Sequence, residues 1–409
     1  MKTKAVRIYG KGDLRLEEFE LPEIKEDEIL ASVITDSICM STYKLAKQGS
    51  QHKRAPKNMV EHPPIVGHEM CGELLQVGEK WKDKYKAGRK YIIQVNIPNQ
   101  VETPGYSCPY IGGDATYIII PNEVMEKDCL LEYNGETFYE GSLVEPLSCV
   151  ISAFKSNYHI YGDDKVHKMG IKERGTMLMM GATGPMGLLA VDFALNGPRR
   201  PKKLIITDID QSKIDRAKKL YISEEIEVEF INTAGINDQE ALLRAHGDGK
   251  GYDDIFVFAP VPQLVTLGSK LLNMDGCLNF FAGPSDKGLM AEINVYDIHY
   301  NQHHYVGTSG GNTQDMRDAI QLIEEKKVEV SKVVTHILGL NQVPEVTLEQ
   351  EKIGGGKKIV YTHKEFPLIK LEDILFQKDS SNRQLIEILR ENNGIWSKEA
   401  EKYLLNHTI

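Results

Sequence analysis

The sequence predicts an α/β protein in three parts: a mainly β domain over 1–156 that is completed by about 334–363, a doubly wound parallel sheet over 157–333, and a helical C-terminal extension over 364–409. Three observations predict it. Short β-patterned runs punctuated by Gly and Pro fill the first 150 or so residues, a strand, a glycine turn and an apolar helix follow one another from Thr176 to Leu195, and helical spacing of apolar residues takes over after about 364.

Taken in order, the β-patterned runs are Ala5 to Tyr9, Leu14 to Phe19, Glu28 to Thr35, Met70 to Val77, Lys90 to Gln94 and Thr116 to Pro121. Between Cys39 and His68 the chain is polar, with Gln51-His52-Lys53-Arg54-Ala55-Pro56-Lys57 at its centre, and reads as a solvated loop or a cationic rim. Leu143-Val144-Glu145-Pro146-Leu147 opens a helix, since Pro is tolerated in a first turn and Leu147, Val150, Ile151 and Phe154 follow at helical spacing. Further strands are read at Lys203 to Thr207, Asp254 to Phe258, Gly276 to Gly283 and His304 to Gly307, with an amphipathic helix from Asp315 to Lys326. Together they suggest a sheet of about six strands. Val333 to Ile337 and Lys358 to Tyr361 look β-like and return to the first domain. In the tail, an Asp379-Ser380-Ser381 cap signal precedes Leu385, Ile386, Ile388 and Leu389, Asn393-Gly394 stops the helix, and Ser397 can cap another.

The chain has 409 residues, 41% of them apolar and 26% charged, as in an ordinary globular enzyme. Its net charge of −10 disfavours nucleic acid and anionic membrane as partners, so an anionic substrate needs a local basic cluster. The N-terminus has no apolar signal segment and no run reads as a membrane span, so a cytoplasmic location is expected. The six cysteines are scattered without a CxxC pair, which suits reduced thiols better than a disulfide framework.

Cys39, His68, Glu69 and Glu145 form a donor set of thiolate, imidazole and carboxylates that suits a catalytic zinc with one open position. Singly, each has a plainer reading: a buried Cys as a small hydrophobe, a His-Glu pair on a surface loop, a carboxylate favouring a helix N-terminus. The turn Gly181-Ala182-Thr183-Gly184-Pro185-Met186-Gly187 departs from the usual glycine spacing, yet it sits between a strand and a helix. There glycines let the backbone approach a pyrophosphate and the helix supplies unpaired amides. Asp208 closes the next strand about 20 residues beyond the last glycine, where a carboxylate meets the adenosine ribose. It would repel a 2′-phosphate, which favours NAD over NADP while leaving NADP possible. Lys213 is compatible with a role near the same ribose.

These motifs, with Ser37-Ile38-Cys39-Met40-Ser41, Val144-Glu145-Pro146-Leu147, Gly307-Thr308-Ser309-Gly310 and the closing Lys357-Lys358-Ile359-Val360, resemble the zinc-dependent medium-chain dehydrogenase/reductase superfamily over about residues 1–362. The likeness points to its polyol dehydrogenase branch, and there to bacterial reductases of L-sorbose 1-phosphate. The resemblance implies a GroES-like catalytic domain beside a Rossmann domain, and Cys39 and His68 as ligands of one catalytic zinc, with Glu69 or Glu145 completing the site directly or through water. It implies a proton-passing role for Ser41, hydride exchange with NAD(P), and assembly as a homodimer or homotetramer. No structural zinc is expected, because residues 95–115 hold Cys108 alone where many relatives have four closely spaced cysteines. The usual Cys-Gly-Ser-Asp is here Cys39-Met40-Ser41-Thr42, and Lys44 stands where some relatives have a relay histidine. The substrate it implies is the ketone of a ketose phosphate, L-sorbose 1-phosphate giving D-glucitol 6-phosphate, with Lys44, Lys53, Arg54 and Lys57 as candidate phosphate contacts. The alternatives are a polyol or secondary-alcohol dehydrogenase acting on an unphosphorylated substrate and, more distantly, a non-catalytic nucleotide-binding protein.

Overall fold

The computed structural model describes residues 1–163, 165–247, 249–375 and 383–407. The chain divides into two units, one made of 1–145, 312–325 and 330–409, the other of 146–311 and 326–329.

The first unit is built on the strand Ile29–Ser37, whose residues are buried except Ile34. Its apolar and β-branched content suits it to this place, because neighbours cover both of its edges. Around it the sheet runs Ile369–Lys370, Val334–Gly339, Lys357–Tyr361, Ile29–Ser37, Cys71–Val77, Lys90–Ile93 and Leu130–Glu132, and Tyr117–Ile120 also pairs with the central strand. One core gathers Val33, Ile65, Tyr91 and Ile118; another gathers Val6, Leu45, Tyr106, Leu338 and Val360. Val334–Gly339 and Lys357–Tyr361 lie in this same sheet, Lys357–Tyr361 beside the central strand.

The segment after Cys39 differs from the solvated loop read in the sequence. It begins with the helix Met40–Gln48, which buries Thr42, Tyr43, Leu45 and Ala46 and ends at Gly49 with φ of 57°. Its apolar face is short and interrupted by Lys and Ser, so periodicity alone does not reveal it. Only the following stretch, with Lys53 and Lys57 exposed, is polar surface.

The second unit carries a parallel sheet in the order Glu227–Asn232, Lys203–Asp208, Thr176–Met180, Tyr252–Val257, Leu272–Phe280 and His304–Val306. The strand order reverses beside Thr176–Met180, which puts the glycine turn at the switch point where such sheets bind ligands. Glu227–Asn232 escaped the sequence reading because its acidic residues break the apolar run of an edge strand. A hairpin of Tyr158–Tyr161 and Val166–Met169 is also unforeseen.

The tail forms the helices Arg383–Glu391 and Lys398–Asn406, the second capped as expected by Ser397, whose hydroxyl accepts from Ala400 N. Asn393 and Gly394, both at positive φ, stop the first helix; the Asp379-Ser380-Ser381 signal lies outside the described residues. Among those residues, no helix is long and apolar enough to cross a membrane.

Candidate functional site

Cys39 is the N-cap of Met40–Gln48, with extended backbone, so its sulfur stands at the positive end of a helix. His68 and Glu69 follow Gly67, whose φ of 89° only glycine adopts readily; an added Cβ would sit 2.3 Å from Asp36 Oδ2. That left-handed residue turns the chain so that Cys39, His68 and Glu69 each offer a ligand atom within 4.8 Å of the others. Glu145 lies outside this cluster, in the first turn of Val144–Ser156, but its charge acts on both Cys39 and Lys357.

The donor chemistry fits a soft or borderline dication. Burial pushes the His68 imidazole down to about 4, against the opposing pull of Glu69, so it is neutral and able to ligate at neutral pH. Its Nδ1 lies 3.3 Å from Thr42 Oγ1, while Nε2 faces Ser41 Oγ at 3.1 Å and Tyr106 OH at 3.2 Å. Burial, with Glu69 adding to it, pushes the Cys39 thiol up to about 12. A thiol so placed gains most from a bound dication, which deprotonates it outright. Ser41 Oγ donates to Cys39 Sγ at 3.1 Å and accepts from Tyr106 OH at 2.8 Å.

Glu69 has a second partner that the sequence reading missed. Lys357 Nζ reaches both of its carboxylate oxygens at 2.5 Å, and both residues are buried. Burial works against the Lys357 ammonium, but Glu69, Cys39 and Glu145 together raise its pKa above the ordinary value. The available signal was the pair Lys357-Lys358 opening a strand buried throughout, since a buried lysine calls for a carboxylate. Tyr106 was also missed. It comes close to His68 because Gly105, at φ of 77°, leaves space where a Cβ would meet Gly67 O at 2.1 Å.

The four basic residues considered for phosphate separate. Arg54 Cζ stands 4.9 Å from the centroid of the Tyr106 ring, and Nη2 donates to Asn96 Oδ1 at 2.7 Å. Lys44 and Lys53 join Arg54 in acting on His52. Lys57 is exposed, and no contact with Cys39, His68, Ser41 or Tyr106 is seen for it among the described residues.

In the second unit, Gly181 has φ of 66°, and a Cβ on Gly187 would meet Ala182 O at 2.3 Å, so this glycine permits close packing of helix on strand. Gly184 caps the helix Pro185–Asn196, with space where its Cβ would be. Thr183, buried at the turn, has a hydroxyl without a hydrogen-bond partner among the described residues, and Met186 is half-buried in the first helical turn. Asp208 Oδ2 accepts from Thr183 N at 3.1 Å, which ties the acidic residue to the glycine turn. Lys213 pairs with Asp210 at 3.5 Å. Open backbone amides, an orphaned hydroxyl and a carboxylate together fit a dinucleotide.

The tail is tied by hydrogen bonds to the unit that holds Cys39, His68 and Glu69. Glu401 accepts from Phe138 N at 2.8 Å, Tyr139 N at 2.9 Å and Tyr361 OH at 3.1 Å, and Trp396 Nε1 donates to Tyr361 OH at 2.7 Å. It thus fastens the helix Phe138–Ser142, just ahead of Glu145, and the strand that carries Lys357. Burial raises the Glu401 carboxyl from its ordinary 4.5 to about 7, more than those donors lower it. The folded protein therefore keeps a proton that the unfolded chain releases. This contribution to stability is complete below about 4.5 and is lost as the pH rises through about 7. Urea unfolding across that range is expected to show the decline, and Glu401→Gln to flatten it.

Residues 25–128 match the alcohol dehydrogenase GroES-like domain family, and residues 185–325 the zinc-binding dehydrogenase family. The chain is 53% identical over 407 residues to L-sorbose 1-phosphate reductase of Klebsiella pneumoniae, covering 99% of this chain and 98% of that protein. It is 42% identical to mannitol-1-phosphate 5-dehydrogenase of Aliivibrio fischeri, covering 99% and 97%. Among solved structures, 2R,3R-butanediol dehydrogenase of Bacillus subtilis matches with a TM-score of 0.73 at 21% identity, covering 88% of this chain and 100% of that one.

Proposed function

We propose, from the premise that this chain belongs to the zinc-binding dehydrogenases with a GroES-like domain, that it reduces the ketone of a ketose phosphate, L-sorbose 1-phosphate, to D-glucitol 6-phosphate. The observation that carries the substrate is the 53% identity to an L-sorbose 1-phosphate reductase across nearly the whole of both chains. The chain is an oxidoreductase; the sugar and the preferred nicotinamide are part of the proposal.

Cys39 and His68 would hold the zinc, with Glu69 or Glu145 completing the set. The bound ion supplies Lewis acidity to the carbonyl oxygen and the reduced nicotinamide supplies hydride. Ser41 sits between the thiolate and the Tyr106 hydroxyl, so it can deliver a proton toward the product oxygen and draw on Tyr106 in turn. Thr42 orients the imidazole through Nδ1. Thr183, Gly184, Pro185, Met186 and Gly187 would receive the pyrophosphate, and Asp208 the ribose, which favours NADH. A homodimer or homotetramer is supported by the helix Val295–Tyr300, which has no buried residue and exposes Val295, Tyr296 and Tyr300.

Steady-state reduction of L-sorbose 1-phosphate and of L-sorbose, each with NADH and NADPH on zinc-replete protein, tests the reading. Its expected outcome is a large preference for the ester with NADH. Equal or reversed preference would move the protein to the dehydrogenases of unphosphorylated polyols.

A further inference from the structure

The unit that holds Cys39, His68 and Glu69, in a chain with net charge −10, gathers Arg54, Lys53 and Lys44 around His52. Arg54 is half-buried and has no ion-pair partner among the described residues. One arm of its guanidinium is fixed by Asn96 Oδ1, and its plane of charge lies against the Tyr106 ring. On the same ring stacks His52, with centroids 5.9 Å apart and planes 9° from parallel. Burial drives the His52 imidazole down to about 4, and Arg54, Lys53 and Lys44 push it the same way, with no acidic group opposing them. Tyr106 connects this patch to the centre, because its hydroxyl touches both Ser41 and His68. The Arg54 charge itself reaches the His68 imidazole. A guanidinium with one arm pinned and its other donors unpaired among the described residues is preorganised for bidentate contact with a phosphate, and partial burial strengthens that contact.

We propose that Arg54 reads the position of the phosphate on the substrate, selecting an ester on the carbon next to the reacting carbonyl over one at the far end of the sugar. The proposal rests on the ketose-phosphate reading above and deepens it. In a 2-ketose 1-phosphate the ester oxygen is bonded to the carbon adjoining the carbonyl, so the phosphate must stay close to whatever holds the carbonyl oxygen. Arg54 is one tyrosine ring away from His68. In a 2-ketose 6-phosphate the rest of the carbon chain intervenes, and the phosphate is carried beyond a residue so near the centre. Lys53 and Lys44 add to the local potential without the planar fork that fixes position.

The test compares L-sorbose 1-phosphate, L-sorbose 6-phosphate and L-sorbose on the zinc-replete wild type, Arg54→Ala and Arg54→Lys, with inorganic phosphate as a competitive inhibitor. For the wild type, kcat/KM is expected to be highest on the 1-phosphate. In Arg54→Ala the ratio of kcat/KM for the 1-phosphate to that for L-sorbose is expected to fall about 30- to 100-fold, the loss of a charge-assisted pair of hydrogen bonds. The ratio for the 6-phosphate should stay within about twofold. Arg54→Lys should fall in between, and inhibition by phosphate should weaken in step with the 1-phosphate ratio. Equal losses on all three sugars would make Arg54 a support for Tyr106 and overturn the proposal, as would a loss confined to the 6-phosphate. A wild type that prefers neither ester removes the ketose-phosphate reading and the proposal together. A wild type that prefers the 1-phosphate while Arg54→Ala keeps that preference removes the proposal alone.

Discussion

Cys39→Ala and His68→Ala are each expected to lose bound zinc and to lower kcat/KM for the ketose ester by about 10⁴-fold, since Lewis-acid stabilisation of the developing charge amounts to several kcal/mol. Both residues converge on one point, with ligand atoms inside 4.8 Å together with Glu69, and neither has a substitute of its own type within the cluster. The loss should appear as chemistry and not as collapse. Cys39 is a helix N-cap whose side chain makes no capping hydrogen bond, so alanine there keeps the backbone arrangement. His68→Ala removes a ring packed 4.9 Å from Tyr106 and leaves Ser41 and Tyr106 still bonded to each other. Metal analysis, turnover and circular dichroism on the same preparations check the expectation. Full zinc content with full activity in either variant would remove the centre proposed here.

What was legible in the sequence was chemistry carried by neighbouring residues. Gly67-His68-Glu69 and the turn from Gly181 to Gly187 each need several residue types in one short run, because one glycine sets the backbone for the ligand or amide that follows it. Asp208 was legible for a related reason, since it lies one helix and one strand beyond the turn. Tyr106, Lys357 and Asn96 were not, because the residues they touch, His68, Glu69 and Arg54, lie in distant parts of the chain. Lys357 reaches Glu69 only because Lys357–Tyr361 pairs with Ile29–Ser37, which pairs in turn with Cys71–Val77. The helix Met40–Gln48 was hidden by a composition that is polar overall, although four of its residues are buried. The tail was readable as two helices with a stop between them. Its purpose was not, because Glu401 and Trp396 act on Phe138, Tyr139 and Tyr361, all far from it in sequence.

Lys357→Met is expected to destabilise the protein by about 3–5 kcal/mol, as when one partner of a buried ion pair is removed and the other stays charged. Methionine nearly preserves the volume, so the change reports charge more than packing. The double variant Glu69→Gln, Lys357→Met should recover most of that loss, because no buried charge is left over and the remaining amide can still bond. Urea unfolding of the wild type, both single variants and the double variant supplies the cycle; additive losses would mean that the 2.5 Å contacts contribute no coupling. The same experiment with and without added zinc separates the roles of the two acidic residues. In the wild type Lys357 holds both oxygens of Glu69, so this carboxylate can turn to an ion only by weakening a buried pair. Once Lys357 is gone, Glu69 is an uncompensated anion within 4.8 Å of the Cys39 and His68 donors, and zinc becomes its natural counter-charge. Zinc should therefore stabilise Lys357→Met more than it stabilises the wild type. If the two gain equally, Glu69 stays out of the metal's coordination even when it is released, and Glu145 becomes the carboxylate that completes the centre.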